Sequence, residues 1–122
     1  MIWTVVFDDG FDAEFSDLSA AVQDELLAHA KLLTAFGPAL GRPYVDTLKG
    51  SSFANMKELR FQADGVWRVA FAFDPDRKAI LLVAGDKQGV NERRFYKALI
   101  AKADKRFQAH LGRLTKTKKE KE

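Results

Sequence analysis

The 122-residue sequence predicts an α+β domain: a small antiparallel sheet, made of an N-terminal strand and a three-strand meander, flanked by two N-terminal helices and one long C-terminal helix. Three observations predict this fold class. β-Branched and aromatic segments occupy the N-terminus and the middle of the chain, turn residues separate them, and apolar residues recur every three or four positions elsewhere. We place one domain at residues 1–114 and a basic disordered tail at residues 115–122, which consist only of Thr, Lys and Glu.

The N-terminal elements follow from local pattern. Residues 2–7 are all β-branched or aromatic and predict a strand, and the alternation of apolar and acidic residues from 11 to 18 predicts a short helix. Ser19 is the expected N-cap of a second helix, which Gly37-Pro38 ends at about residue 36. Its buried stripe consists of Val22, Leu26, Ala30 and Leu33.

The middle of the chain predicts a loop and then the meander. Residues 41–52 are rich in Gly, Pro and Ser, and we expect them to form a loop that carries Lys49. The three meander strands are expected at residues 55–62, 66–73 and 79–84, with Asp64-Gly65 as the first hairpin turn. Alternation in the second strand places Trp67, Val69, Phe71 and Phe73 on one face and Arg68, Ala70 and Ala72 on the other.

The last helix is expected to begin after the glycine-flanked loop at residues 85–89. Asn91 is the predicted N-cap of this helix, and the helix should end at about Leu111. Apolar residues recur in it every four positions, at Phe95, Leu99, Ala103, Phe107 and Leu111, so this helix should pack on the sheet.

Composition excludes several classes of function. The chain has no Cys, which excludes a disulfide scaffold, a zinc–thiolate or iron–sulfur site and a Cys nucleophile, and which is compatible with a cytoplasmic location. No apolar run approaches the roughly 18 residues of a membrane span, so we expect no membrane partner. His29 and His110 lack metal-ligand spacing, and no nucleotide-binding motif is present, so neither a metal nor another cofactor is expected.

Charge is unevenly distributed. Residues 1–46 carry 2 basic and 8 acidic side chains, whereas residues 47–122 carry 18 basic and 9 acidic ones. A basic C-terminal half suits a polyanion such as RNA, although a solvated helix face with a charged tail would look the same.

Basic side chains in the meander and in the last helix could cleave RNA. Lys57 and Arg60 lie on the first meander strand, and Arg68 lies on the second, where small alanine neighbours would leave room for a ligand. When a 2′-hydroxyl attacks the adjacent phosphorus, the transition state gains negative charge, which placed Arg and Lys side chains stabilise. A Lys crowded by cations could act as the base, and Glu58 is an alternative base.

Six short segments, taken in their order along the chain, resemble the HigB-like, phage-derived branch of the RelE/ParE toxin superfamily. The segments that carry the resemblance are Gly41-Arg42-Pro43, Thr47-Leu48-Lys49-Gly50, Lys57-Glu58-Leu59-Arg60-Phe61, Trp67 to Asp74, Gly85-Asp86-Lys87-Gln88-Gly89 and Arg94-Phe95-Tyr96-Lys97. The resemblance implies a RelE-like fold and the toxin of a type II toxin–antitoxin pair, which cleaves mRNA on the ribosome without a metal. It also implies a small helix-turn-helix antitoxin, HigA-like, as partner.

The resemblance further implies roles for individual residues. Catalytic roles fall on Arg68, Lys87, Lys57 and Tyr96. Charge and position lead us to expect RNA binding by Arg60, Arg93, Arg94, Lys97 and Lys49, since cations such as Arg93 and Arg94 are otherwise disfavoured at a helix N-terminus. Glu58 departs from the pattern, because that position is often basic in ribosome-dependent members. Two alternatives remain open: a ParE-like toxin that inhibits DNA gyrase without nuclease chemistry, and a non-catalytic RNA-binding module.

Overall fold

The computed structural model describes residues 2–121 and the side chains of residues 2–117. Five strands and three α-helices, with one 3₁₀ turn at Gly37–Ala39, follow in the order β1 (Thr4–Phe7), α1 (Asp9–Phe15), α2 (Ala20–Phe36), β2 (Val45–Thr47), β3 (Lys57–Gln62), β4 (Val66–Phe73), β5 (Lys78–Asp86) and α3 (Glu92–Lys121). The α+β class and the three helices predicted from the sequence are confirmed. Within the described residues, no helix is both long enough and apolar enough to cross a membrane.

The predicted helix caps form. The Ser19 hydroxyl accepts a hydrogen bond from the backbone N–H of Val22 at 3.3 Å, and the Asn91 side chain accepts one from the N–H of Arg94 at 3.0 Å. Gly37 ends α2 with a φ of 55°, and its N–H donates to the carbonyl of Leu33. These contacts satisfy helix-end groups that otherwise lack partners.

The sheet is mixed rather than wholly antiparallel, with the strand order β1-β5-β4-β3-β2. β1 pairs in parallel with β5, whereas the other neighbours are antiparallel. No turn joins β1 to β5 in the sequence, so local pattern could not set their relative direction. β2 lies inside the predicted loop at residues 41–52, where three strand residues among Gly and Pro give too short a signal.

Several predicted boundaries were wrong. β1 begins at Thr4 rather than at residue 2, and α1 covers Asp9–Phe15 rather than residues 11–18. β3 begins at Lys57, because the N–H of Met56 donates to the carbonyl of Phe53 in a preceding turn. β5 extends to Asp86, which pairs with Trp67. α3 continues beyond Leu111 to Lys121, because the following residues are mostly good helix formers and Gly112 only weakens the helix. The segment predicted as a disordered tail is therefore helical through Lys121, while residue 122 lies outside the described residues and the domain boundary at 114 stays a prediction.

Helices cover both faces of the sheet. The predicted alternation in β4 is confirmed: Val69 and Phe71 pack against α1 and α2, whereas Ala70 and Ala72 pack under α3. The space beside Arg68 that the two alanines were expected to leave for a ligand is filled by α3, since both alanines are completely buried. Because Ala70 and Ala72 are small, α3 approaches the sheet closely, and this contact sets the position of α3.

Arg106 joins α3 to α1 and to an irregular point of β5. Its Nη1 donates to the carbonyl of Leu82 at 2.7 Å and to Glu14 at 2.8 Å, and its Nη2 donates to Glu14 at 2.7 Å. The register with β4 skips Leu82, so this carbonyl lies at a break in the ladder. The hydrogen bond from Arg106, with a further one from Lys102, lowers the pKa of Glu14 to about 2.

We expect Arg106→Ala to lower the free energy of unfolding by about 1–3 kcal/mol at pH 7, because it removes the partner of the Leu82 carbonyl and the main hydrogen-bond donor to the Glu14 carboxylate. Urea denaturation measures the loss. A carboxylate with a lowered pKa stabilises the fold above its ordinary pKa of 4.5 and loses that contribution as pH falls toward 2. The difference in unfolding free energy between variant and wild type should therefore be smaller at pH 3 than at pH 7. An equal difference at pH 3 and pH 7 would contradict the role of the Arg106–Glu14 pair.

Candidate active site

A groove opens between the β2–β3 edge of the sheet and the start of α3, and we call it the β3–α3 groove. It has a volume of about 350 Å³ and is lined by Arg42, Asp46, Thr47, Leu48, Lys49, Glu58 and Tyr96. The loop after β2 forms one wall and is held to α3, because Ser51 Oγ and the N–H of Ser52 both donate to the carboxylate of Asp104. Residues from four separate segments thus meet in one depression.

A buried hydrogen-bond network forms the floor of this groove. Strand alternation places Glu58 and Arg68 on the face of the sheet under α3, and both residues are 6% exposed. Tyr96 reaches them from the second turn of α3: its Oη donates to Glu58 Oε1 at 2.8 Å and accepts from Arg68 Nε at 3.2 Å. Arg68 Nε also lies 3.5 Å from Glu58 Oε1, so the carboxylate and the guanidinium compensate each other's charge.

Burial changes the acidity of two groups in this network. It raises the pKa of Glu58, although the hydrogen bond from Tyr96 and the charge of Arg68 oppose the change. Burial also raises the pKa of Tyr96, and its hydrogen bond to Glu58 acts in the same direction. A carboxylate with a raised pKa at the wall of a groove is suited to accept a proton from a bound hydroxyl.

Lys87 stands at the rim of the network. It directly follows β5, and its Nζ lies 5.9 Å from the centroid of the Tyr96 ring. The same Nζ lies 2.9 Å from Glu92 Oε1 and lowers the pKa of that carboxyl. The structure therefore brings together three of the four residues predicted as catalytic: Arg68, Lys87 and Tyr96.

Lys57 does not join them. It pairs with Phe71 across β3 and β4, and paired side chains share a face of the sheet. Phe71 belongs to the core beneath α1 and α2, so Lys57 lies on the opposite face from Arg68. The prediction grouped Lys57 with Arg60 as one basic strand, although residues an odd number of positions apart in a strand face opposite ways.

The residues predicted to bind RNA separate into two groups. Arg60 lies across from Arg68 and has its Nη1 3.8 Å from Asp46, and Lys49 is exposed at the groove. Arg93 and Lys97 are exposed on the first turns of α3, and Arg93 is one turn before Tyr96. Arg94 lines a different cavity, beside β5, because it points to another side of the helix.

Sequence reasoning missed the acidic side of the groove. Asp46 Oδ2 forms an ion pair with Arg42 Nη2 at 2.8 Å. Asp46 lies in β2, the strand that was predicted to be part of a loop. Glu58 was named only as an alternative base, and its contact with Tyr96 spans 38 residues. Among residues whose side chains the structure describes, no group of three or more His, Cys, Asp or Glu could hold a metal ion.

Comparison with known proteins places the chain in a family. The family model described as phage derived protein Gp49-like (DUF891) matches residues 13–108. In Mycobacterium tuberculosis, the candidate toxin HigB2 is 42% identical over 112 residues, which is 90% of this chain and 52% of HigB2. The candidate toxin HigB3 of the same organism is 53% identical over 81 residues, which is 66% of this chain and 69% of HigB3. The chain thus spans about half the length of HigB2.

Solved structures show the same fold at low sequence identity. A doubly substituted Escherichia coli toxin RelE in the free state aligns with a TM-score of 0.61 and 14% identity, covering 84% of this chain and 97% of RelE. The toxin–antitoxin complex RelBE2 of Mycobacterium tuberculosis contains a chain that aligns with a TM-score of 0.54 and 16% identity, covering 70% of this chain and 99% of that chain. The RelE-like fold and the resemblance to the HigB-like branch are confirmed, and the chain belongs to the Gp49-like family of phage-derived proteins.

Proposed function

We propose that the protein is the toxin of a type II toxin–antitoxin pair and cleaves mRNA on the ribosome without a metal ion. The observation that carries this proposal is the buried network of Glu58, Tyr96 and Arg68 at a groove lined by Arg42 and Lys49, with Lys87 beside the ring of Tyr96. Family membership supports the toxin role, since the names of HigB2 and HigB3 describe candidate toxins.

The network supplies the parts that RNA cleavage needs. Glu58 accepts the proton of a 2′-hydroxyl, and the resulting oxygen attacks the adjacent phosphorus. Arg68 and Lys49 stabilise the extra negative charge of the phosphorane-like transition state. The 5′-oxygen leaves with a proton from the Lys87 ammonium, so the products are a 2′,3′-cyclic phosphate and a 5′-hydroxyl. DNA has no 2′-hydroxyl and is not a substrate for this reaction.

Two partners belong to this proposal. The ribosome presents the mRNA, which would place the protein in the cytoplasm. The second partner is an antitoxin: the RelBE2 structure is a toxin–antitoxin complex, and a further match, from Pyrococcus horikoshii, is a RelE–RelB complex. We propose a small helix-turn-helix protein of the HigA type in this role.

The test is cleavage of a reporter mRNA in a purified translation reaction, followed by primer extension. We expect wild-type protein to cleave it in the presence of a chelator, and Lys87→Ala to cleave about tenfold or more slowly, because the leaving oxygen loses its proton donor. Lys78→Ala is the matched control, since Lys78 is an exposed lysine at the opposite end of β5. It should keep wild-type activity.

Two outcomes would overturn the nuclease proposal. Intact mRNA together with arrested replication would indicate a gyrase inhibitor. RNA that binds in a salt-dependent way but stays uncut would indicate a binding module. Replacing the 2′-hydroxyl at the cleaved position with hydrogen should block the reaction, and continued cleavage would contradict the mechanism.

A further inference from the structure

A second depression lies on the other side of α3, between the end of β5 and the first turns of the helix. We call it the β5–α3 depression. It has a volume of about 320 Å³, and its walls are mostly apolar, from Val83, Ala84, Val90, Phe95, Ala98 and Leu99. Val90 is 47% exposed at its edge. A concave surface with mainly apolar walls and a few charged side chains at its edge can receive the apolar side chains of a ligand.

Cations border this depression along α3. Arg94 and Lys102 line it, and Lys102 also lines the adjoining cavity of about 380 Å³. In that cavity the cations Lys102, Lys105, Arg106 and Arg113 outnumber the carboxylates of Asp8 and Asp9. At 3.6 residues per turn, Arg94, Lys102, Lys105 and Arg113 fall within about 100° of one another around the helix. They form one basic border beside the apolar walls.

Part of this border is available for a partner. Lys102 lies 3.0 Å from the carboxylate of Glu14 in α1, and Arg113 lies 3.8 Å from that of Asp8, the N-cap of α1. Arg94 and Lys105 are exposed, and neither has a carboxylate partner among the side chains that the structure describes. Arg94 lies beside the apolar walls and Lys105 lies at the adjoining cavity, so the two free cations favour an elongated ligand that brings both acidic and apolar groups.

The combination distinguishes a protein partner from RNA. A nucleic-acid backbone would use the cations and leave the apolar walls exposed to water. An acidic amphipathic helix covers both, because its apolar stripe fills the depression while its carboxylates meet the border. Tyr96 lies about 160° around α3 from Arg94, so such a partner would not occupy the β3–α3 groove.

We propose that the β5–α3 depression and its basic border bind an acidic amphipathic helix of a protein partner. That partner is the antitoxin, an identification that rests on the function proposed above. The surface differs from the groove where RNA would be cut, so a bound antitoxin could hold the toxin without filling the catalytic groove.

The test uses the full-length protein and a labelled 20-residue peptide in which Leu follows helical spacing and Glu fills the other positions. A peptide of the same composition, permuted so that the Leu residues share no face, is the control. We expect fluorescence anisotropy to show at least about tenfold tighter binding of the amphipathic peptide. Val90→Asp and Lys105→Glu should each weaken it about fivefold or more.

Lys31→Glu is the matched charge reversal, because Lys31 is an exposed lysine on α2. It should change peptide affinity less than twofold. Equal binding of both peptides, or equal effects of Lys31→Glu and Lys105→Glu, would overturn the proposal. So would an oligouridylate that binds in place of the peptide and is weakened by Lys105→Glu but not by Val90→Asp.

Cleavage of mRNA by the same variants separates the two proposals. Val90 lies outside the catalytic groove, so the Val90→Asp protein should cleave mRNA at the wild-type rate. If wild-type protein binds the peptide at this face but cuts no mRNA, the nuclease proposal fails while the docking surface stands. If it cuts mRNA but shows no preference between the peptides, the docking proposal fails alone.

Discussion

Replacement of Glu58 by Gln is expected to slow mRNA cleavage by roughly 10²- to 10⁴-fold, the usual contribution of a general base. The change keeps the size of the side chain and a carbonyl oxygen that can accept the hydrogen bond from Tyr96. It removes the negative charge, and with it both the group that takes the proton from the 2′-hydroxyl and the counter-charge of the buried Arg68, so urea denaturation of the variant accompanies the rate measurement. Single-turnover cleavage of ribosome-bound mRNA measures the effect, and Glu25→Gln, an exposed carboxylate on α2, is the matched control.

The pH dependence of the cleavage rate tests the role of Glu58 as the base directly. Burial raises the pKa of Glu58 above its ordinary value of 4.5, and a base must be deprotonated to act. The wild-type rate should therefore fall as pH drops through a value above 4.5, and this acid limb should be absent from the residual activity of Glu58→Gln. An acid limb that persists in the variant would exclude Glu58 as the base.

Arg68→Ala is expected to give the largest loss of stability, about 3–5 kcal/mol at pH 7. The substitution leaves the Glu58 carboxylate buried without the guanidinium that compensates it. Urea denaturation measures the loss. Arg93→Ala, which removes an exposed arginine from the same region, should change the free energy of unfolding by no more than about 0.5 kcal/mol.

Two further measurements separate charge compensation from simple loss of packing. Without Arg68 the pKa of Glu58 rises further, and a group with a raised pKa favours the folded state only when it is protonated. The Arg68→Ala protein should therefore recover stability as pH falls from 7 toward 5. The double variant Arg68→Met/Glu58→Gln should recover most of the loss even at pH 7, whereas additive losses would contradict the charge argument.

Sequence periodicity predicted most of the elements but not how the edges of the sheet pair. α2 and the start of α3 have regular apolar spacing and side-chain N-caps, and β4 alternates, so local pattern was sufficient for them. β2 has only three residues, and the pairing of β1 with β5 joins strands from opposite parts of the chain. Neither leaves a local signal.

The candidate site was predictable in composition and only partly in geometry. Arg68, Lys87 and Tyr96 were selected by residue type and position, and they do converge. The face of Lys57 could have been derived from strand alternation, because the residues two and four positions later, Leu59 and Phe61, are apolar and predict the core face. The contact between Glu58 and Tyr96 could not, since it depends on how closely α3 packs on the alanines of β4.

The contribution of α3 to the catalytic groove has a consequence for biosynthesis. Glu58 and Arg68 belong to strands that leave the ribosome well before Tyr96, and the helix must then extend far enough to place Leu99 and Phe107 against the sheet. A chain whose α3 is not yet translated therefore has an incomplete site, in which Glu58 and Arg68 are open to water. The proposed nuclease would therefore acquire its cutting centre only once α3 had been translated, so a product released before α3 could not cut RNA.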